Sequence, residues 1–471
     1  MSKGDWDYII VGGGSAGCVL ANRLSANPKK RVLLLDAGVR DFAPSLHIPA
    51  GMISAISNDK YNWKYPAAPD PSRGGQLDLW SAGKAIGGGS AINGMFYIRG
   101  HRSDFDGWAQ AGCTGWDYDS VLPHFKSLES FEDGNNEYRG SSGPQSVTFQ
   151  RHKLDIVETF INAAIDCGHE LNSDYNGKSQ TGVGYAQVSQ KRGRRFSSAS
   201  AFLHPVKSRK NLKVINGALV KRVLIRNSKA SGVSFRQATQ DLTANCKGEI
   251  ILSAGALASP KILMHSGVGP GDLLSSLGID TIKNLPQVGQ NLMEHPAVYL
   301  TAKTKAKSLN AAAHPLRLPL VLANWLMRGR GPASAAAAAA QVLCHSRDGL
   351  IAPDIQLLFT PAIFSFDEVK KKATVLTQNG VSMAALLLHP TSRGRVTITS
   401  SDPLKPPLIE HKLLGTSEDI DRLVVASRKG SEILSSPTFS KTVRTLEPDL
   451  LPESPDENYE DYIRALSLIH I

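Results

Sequence analysis

The sequence has little cysteine, and what it has is poorly placed for cross-linking. Five cysteines occur in 471 residues, at Cys18, Cys113, Cys167, Cys246 and Cys344, and none forms a C-x-x-C pair. An odd and scattered set argues against a disulfide framework and against a zinc site, so no metal is expected and a reducing compartment is. Long apolar runs are missing as well: no stretch reaches the roughly 18 residues that a membrane-spanning helix needs. Asp5-Trp6-Asp7 interrupts any apolar run ahead of the first strand, which argues against a signal peptide. No internal repeat is found. The net charge of +11 raises the question of nucleic acid, but the basic residues are scattered. Their densest cluster, Lys191-Arg192-Gly193-Arg194-Arg195, has a single aromatic beside it and no nucleic-acid module around it. The expectation is a basic cytoplasmic enzyme with no nucleic-acid partner. Contact with the inner face of a membrane, at its periphery, stays open.

The length allows two domains and a large core. At 41% hydrophobic and 20% charged the composition is that of an ordinary globular protein. The apolar run Tyr8-Ile9-Ile10-Val11, a cluster of glycines and the pattern from Val19 to Leu24 read as strand, tight turn and helix. Arg31 to Asp36 is a second buried strand, which completes a βαβ unit. From Gly38 to about Gly143 the chain reads as long loops with short helices. Leu154 to Cys167 reads as an amphipathic helix. Asn211 to Arg226 and Ala230 to Arg236 read as strands. Glu249 to Ser253 is another buried strand, feeding a helix from Ser259 to His265. A parallel strand returning this late implies a discontinuous nucleotide domain. Beyond about residue 300, Pro315 to Met327 reads as a helix and Ala335 to Ala340 as a low-complexity run. Asp354 to Phe359, Val381 to Leu388 and Gly394 to Ser400 read as strands of a second, antiparallel sheet.

Gly12-Gly13-Gly14-Ser15-Ala16-Gly17 fits G-x-G-x-x-G between a strand and a helix. Gly12 permits the turn, Gly14 lets backbone reach a pyrophosphate, and Gly17 permits close helix–strand packing. The helix N-terminus then offers free N–H groups to the phosphates. Asp36, ending the next strand, is placed to hydrogen-bond a ribose hydroxyl. These features alone do not separate FAD from NAD.

Residues 83–100, GKAIGGGSAINGMFYIRG, with Asp106 beyond them, cannot form a regular helix or strand and suit backbone lying flat against a large planar ligand. This segment resembles the first signature of the glucose–methanol–choline oxidoreductases. Residues 255–269, GALASPKILMHSGVG, resemble the second. Val288 to Pro296 resembles V-G-x-N-L-x-D-H-P, with Glu294 in place of the usual Asp. The resemblance runs from Asp7 to about Tyr462, densely as far as His295, and lies toward choline dehydrogenase-like and alcohol dehydrogenase-like members. It implies an α/β fold (α+β overall), with a Rossmann-like FAD-binding domain and an antiparallel-sheet substrate domain. The expected division gives 1–150 and 195–300 to FAD and 151–194 and 301–465 to substrate, the C-terminal part starting near 390. It also implies FAD contacts at Gly83, Asn93, Gly94, Met95, Phe96 and Gly289, adenine held through the backbone of Val220, and Trp63 near the cofactor.

The implied reaction passes a hydride from the CH–OH group of an alcohol to flavin N5 while a histidine removes the hydroxyl proton. The electron acceptor is quinone-like or oxygen, with dehydrogenase favoured over oxidase by INGMFYIRG and Asp104-Phe105-Asp106-Gly107-Trp108. Photodecarboxylation, a light-driven activity of some members, is disfavoured because Leu358 stands where an arginine is needed. Nothing favours hydroxynitrile lyase. His265, inside its helix, and His389-Pro390, in an ordinary turn, read as structural. The catalytic histidine is expected in a C-terminal His-Pro motif that the chain does not reach. Leu466 to Ile471 reads as a non-native tail. The expectation is therefore a truncated fragment whose catalytic residues are unknown: a flavin-binding chain that is inactive in turnover.

Overall fold

The computed structural model describes residues 5–367 and 372–466; most of the expected tail, 467–471, lies outside the described residues. Two six-stranded sheets organise the chain. In the first, Trp6–Val11 and Val32–Asp36 lie side by side in parallel, with Tyr8 opposite Val32 and Val11 opposite Leu35. Leu212–Asn216 adds to the outer side of Val32–Asp36, and the end of the long strand Gln240–Leu252 adds to the inner side of Trp6–Val11. These strands read as unbroken apolar runs because both faces are covered. Successive side chains alternate between the faces. Ile9, Val11, Leu33 and Leu35 pack with Val220, Phe235 and Ile262, whereas Ile10, Val32 and Leu34 pack with Cys18, Ala21 and Phe202.

The stretch that reads as strands from Asn211 onward is divided. Asn211 to Arg226 is two strands, Leu212–Asn216 and Ala218–Arg226, and the sheet places them at its opposite edges. The break falls at Gly217, which adopts φ +65° and donates its N–H to Gly38 O at 3.0 Å. An Asn-Gly pair is a turn signal, and here it outweighs the β-propensity on either side. The helix expected from Ser259 begins earlier, as Gly255–His265, and Pro260 lies inside it. Gly255, at φ +84°, turns the chain straight out of the preceding strand.

The second sheet is antiparallel throughout, in the order Val443–Glu447, Ala297–Thr304, Gly380–Leu387, Ile355–Thr360, Ala340–Cys344 and Gly182–Tyr185. The helices Asp155–Asp166 and Ser417–Ser435 pack on it, and Phe160 stacks on Phe359 with ring centroids 4.1 Å apart. The expected strand from Gly394 to Ser400 does not join this sheet. Only Arg395–Thr397 is extended, and it pairs with Leu408–Glu410, while Gly394 exchanges backbone hydrogen bonds with Leu292. These partners use its edge bonds and hold it away from the larger sheet. The expected helix at Pro315 is found as Leu318–Arg328.

Candidate functional site

At the end of Trp6–Val11 the chain turns through Gly12, whose φ of +100° excludes ordinary side chains. A Cβ there would also lie 2.6 Å from Ser253 O, and one on Gly17 only 1.9 Å from Gly12 O. The helix Ser15–Leu24 is thus pressed onto the loop, as the motif requires. Gly14 differs: a Cβ on it would come no closer than 3.9 Å to any neighbour, Gly88 Cα. The space above it belongs to a cavity of about 880 Å³. Two helix N-termini face this cavity, those of Ser15–Leu24 and Gly255–His265, and neither has a side-chain cap or an acidic residue in its first turn. Their unpaired N–H groups and positive dipole ends form an anion-binding wall.

Asp36 also lines the cavity, and its carboxylate organises the loop. Oδ2 accepts from Gly13 N–H at 2.7 Å and Oδ1 from Gly38 N–H at 2.8 Å. Burial pushes its pKa up, against the pull of those two N–H groups. Farther round, Ala218 to Val220 form one wall, Trp63 and Tyr65 another, and Gly83, Gly88 and Gly89 a third. Trp63 and Tyr65 stack at 5.5 Å. Lys261 adds a cation whose pKa burial lowers. Leu404 and Pro406 close the cavity from far along the chain. Open space above a glycine, uncapped helix ends for a pyrophosphate and a carboxylate at the end of the second strand fit an extended dinucleotide such as FAD.

Of the residues singled out from sequence, Gly12, Gly14, Ser15, Ala16, Asp36, Trp63, Gly83 and Val220 share this cavity, and Gly17 supports it from behind. Five others do not line it. Asn93 Oδ1 accepts from Arg195 Nη1 at 2.9 Å and from Met95 N–H at 3.1 Å. Gly94 faces Ala337 and Met52. Met95, at φ +64° and fully buried, packs with Ala186, Val188 and Ala336, while Phe96 stacks on Tyr175. Gly289 is required for close approach, but to Val396, whose carbonyl oxygen would lie 2.1 Å from a Cβ. Leu358 sits in an apolar cluster with Ala297, Ala384 and Leu386.

Two supporting groups were not legible as such. Arg195, which the sequence places in a basic cluster, is buried; burial pushes its pKa down to about 10, and it ties Ser90 O to Asn93. His411 is buried between Asp70 Oδ2 at 3.3 Å and Asp78 Oδ2 at 3.2 Å, off the line of a hydrogen bond, and Arg73 also pairs with Asp78. This cluster, together with the backbone bond from Ala68 N–H to Ile409 O, fastens the hairpin carrying Trp63 and Tyr65 to the C-terminal segment. Nothing in the local sequence announces it: Asp70, Arg73 and Asp78 share one short loop, but the imidazole that joins them comes from His411, far along the chain. His265 is buried outside the cavity with a pKa that burial and Lys261 push down to about 4. His389 binds Asp104 at 2.7 Å at the start of a helix. Both geometries suit structural roles.

Two family models described as GMC oxidoreductase match residues 6–297 and 390–471. The chain is 35% identical to mitochondrial choline dehydrogenase of Mus musculus, covering 99% of this chain and 79% of that one. It is 36% identical to the alcohol dehydrogenase [acceptor] of Pseudomonas putida, with 99% and 85% covered. Among solved structures it superposes on pyridoxine 4-oxidase from Mesorbium loti with a TM-score of 0.86 at 28% identity, covering 99% of this chain and 87% of that one. Motif, cavity and kinship agree: the chain belongs to the GMC oxidoreductase family, and its cofactor is FAD.

Proposed function

We propose that this protein is an FAD-dependent oxidoreductase acting on the CH–OH group of an alcohol. The single observation that carries the proposal is the cavity in which the glycine turn, Asp36 and two uncapped helix ends converge. When bound, FAD supplies the hydride acceptor, flavin N5. The chain anchors the pyrophosphate through the N–H groups beyond Gly14, fixes a ribose at Asp36, and holds adenine through the backbone of Val220. Asn93 to Phe96 and Gly289 are assigned to the flavin end on the family resemblance; from Met95 the backbone serves, since its side chain is buried elsewhere. The proposed division keeps 1–150 and 195–300 for FAD and 151–194 and 301–465 for substrate. A quinone-like acceptor is favoured over oxygen. Peripheral membrane contact belongs to the proposal through the helix Leu318–Arg328, which exposes Leu320, Leu326 and Met327 beside Arg328.

Oxidation also requires a base for the hydroxyl proton. Among the described residues, no histidine lines this cavity or the smaller apolar one beside the helix Leu318–Arg328. That observation favours a second reading, flavin binding without turnover. One experiment separates the two. The purified chain with FAD is mixed anaerobically with a panel of alcohols, and its flavin absorbance is followed. Bleaching supports the oxidoreductase. A bound flavin that stays oxidised throughout supports binding alone, and a chain that takes up NADH and no flavin refutes both.

A further inference from the structure

A second cavity, of about 320 Å³, is lined by Ser45 and residues 48–53, the helix Leu318–Arg328 and the alanine run at 335–337. The segment after Gly87 separates it from the first. Gly88 and Gly89 line the cofactor cavity, whereas a Cβ on Gly94 would meet the Ala337 methyl at 3.0 Å and Met52 Sδ at 3.8 Å, and both of these residues line the second. Its volume lies at the lower end of the roughly 300–1,000 Å³ typical of small-molecule sites. Its lining is apolar, with Met52, Leu309, Val321, Leu322 and Ala336 as representative members. Ser45 and Thr360 bring its hydroxyls, Phe364 is its one aromatic ring, and no Asp, Glu, Lys, Arg or His lines it among the described residues.

We infer that this cavity receives the apolar tail of an uncharged alcohol, so that the protein prefers such alcohols to quaternary ammonium alcohols such as choline. The inference rests on the oxidoreductase reading above. A trimethylammonium group entering here gives up its water and meets no carboxylate and only one ring face, so its desolvation is not offset. An aliphatic tail meets a lining made mostly of methyl and methylene groups and gains with every carbon buried. The alanine run gives the cavity its room: at 335–337 each side chain stops at Cβ, and there is no longer group to fill the space or carry charge. The helix that forms one wall turns Val321 and Leu322 inward, and neither residue touches the cofactor cavity.

The test is an anaerobic titration of the FAD-loaded full chain with octanol and with choline, following the flavin spectrum for both perturbation and bleaching. Octanol is expected to bind at least about tenfold more tightly than choline. Leu322→Trp, which fills the cavity, weakens octanol about tenfold while flavin content stays at the wild-type level. Leu322→Asp, which places a carboxylate in the cavity, shifts the preference toward choline. Choline binding as tightly as octanol to the wild type overturns the inference, and this comparison stands whether or not the variants fold. Octanol binding undiminished in folded Leu322→Trp overturns it too. Octanol that binds without bleaching the flavin upholds the apolar preference and counts against the oxidoreductase reading alone.

Discussion

The glycine turn of the cofactor cavity is hemmed in by backbone, whereas the neighbouring apolar cavity is walled by apolar side chains, and the two tolerate change differently. Around Gly12 and Gly17 there is no room for one more carbon, since main-chain atoms stand 2.6 and 1.9 Å from where it would go. Around Leu322 and the alanine run, side chains set the volume, so substitution alters what fits without moving the main chain. The first cavity is thereby committed to one ligand, while the second is open to change in its specificity.

The sharpest way to break this comparison is inside the glycine turn. Gly17→Val drives a side chain into Gly12 O and is expected to cost more than about 3 kcal/mol in a denaturant melt, with flavin lost as well. Gly14→Val meets only open cavity. It is expected to leave stability within about 0.5 kcal/mol of wild type and yet lower FAD affinity at least about 100-fold. If Gly14→Val retained flavin at the wild-type level, the pyrophosphate would lie elsewhere.

Next in size is the buried pair that holds the Trp63 hairpin. Removing the imidazole in His411→Ala leaves Asp70 and Asp78 facing each other and is expected to cost about 3 kcal/mol. Its pH dependence carries a sign. Burial alone would lower the His411 pKa, but the two carboxylates raise it above 6.5, so its contribution is complete below that pH and fades as pH rises through the raised value. Asp70 moves the other way: against burial, the His411 imidazole beside it and hydrogen bonds from Ser72 hold its pKa below 3.8, and its contribution fades only as pH falls through that lowered value. Unfolding free energy measured across pH should therefore decline on the alkaline side, and that decline should be absent in His411→Ala.

Asp36→Ala leaves the N–H groups of Gly13 and Gly38 without their acceptor. A loss of about 2 kcal/mol is expected by chemical denaturation. The smallest effect belongs to the helix beside the apolar cavity: Trp325→Phe, away from the cavity lining, deletes the 2.7 Å bond from Nε1 to Gly193 O and should cost about 1 kcal/mol in a thermal melt without changing flavin content.

The same contrast explains what could be read from sequence. Glycines demanded by main-chain crowding, and an acid at a strand end, leave a local pattern, and Gly12 to Gly17 with Asp36 are found where that pattern puts them. Side chains that matter through distant partners leave none. Arg195 looks like part of a surface cluster until Ser90 and Asn93 are seen to receive it, and Ala335 to Ala340 looks like low complexity until Ala336 is seen packed with Met95, Ala335 to Ala337 around a cavity and Ala340 opening a strand. Asn216-Gly217 lay between two strand-forming stretches, and only the sheet, with its two edges, shows that the turn prevails.

The cofactor cavity draws its wall from Val11 at one extreme to Pro406 at the other. During synthesis at about 5–20 residues per second, these two positions leave the ribosome tens of seconds apart. The glycine turn, the first part of the site to be made, therefore waits for most of the chain before its cavity can close. Closure of the FAD cavity is thus a late event in the life of each molecule, whereas the strands Trp6–Val11 and Val32–Asp36 must be kept from pairing with the wrong neighbours only until Leu212–Asn216 and Gln240–Leu252 have been made.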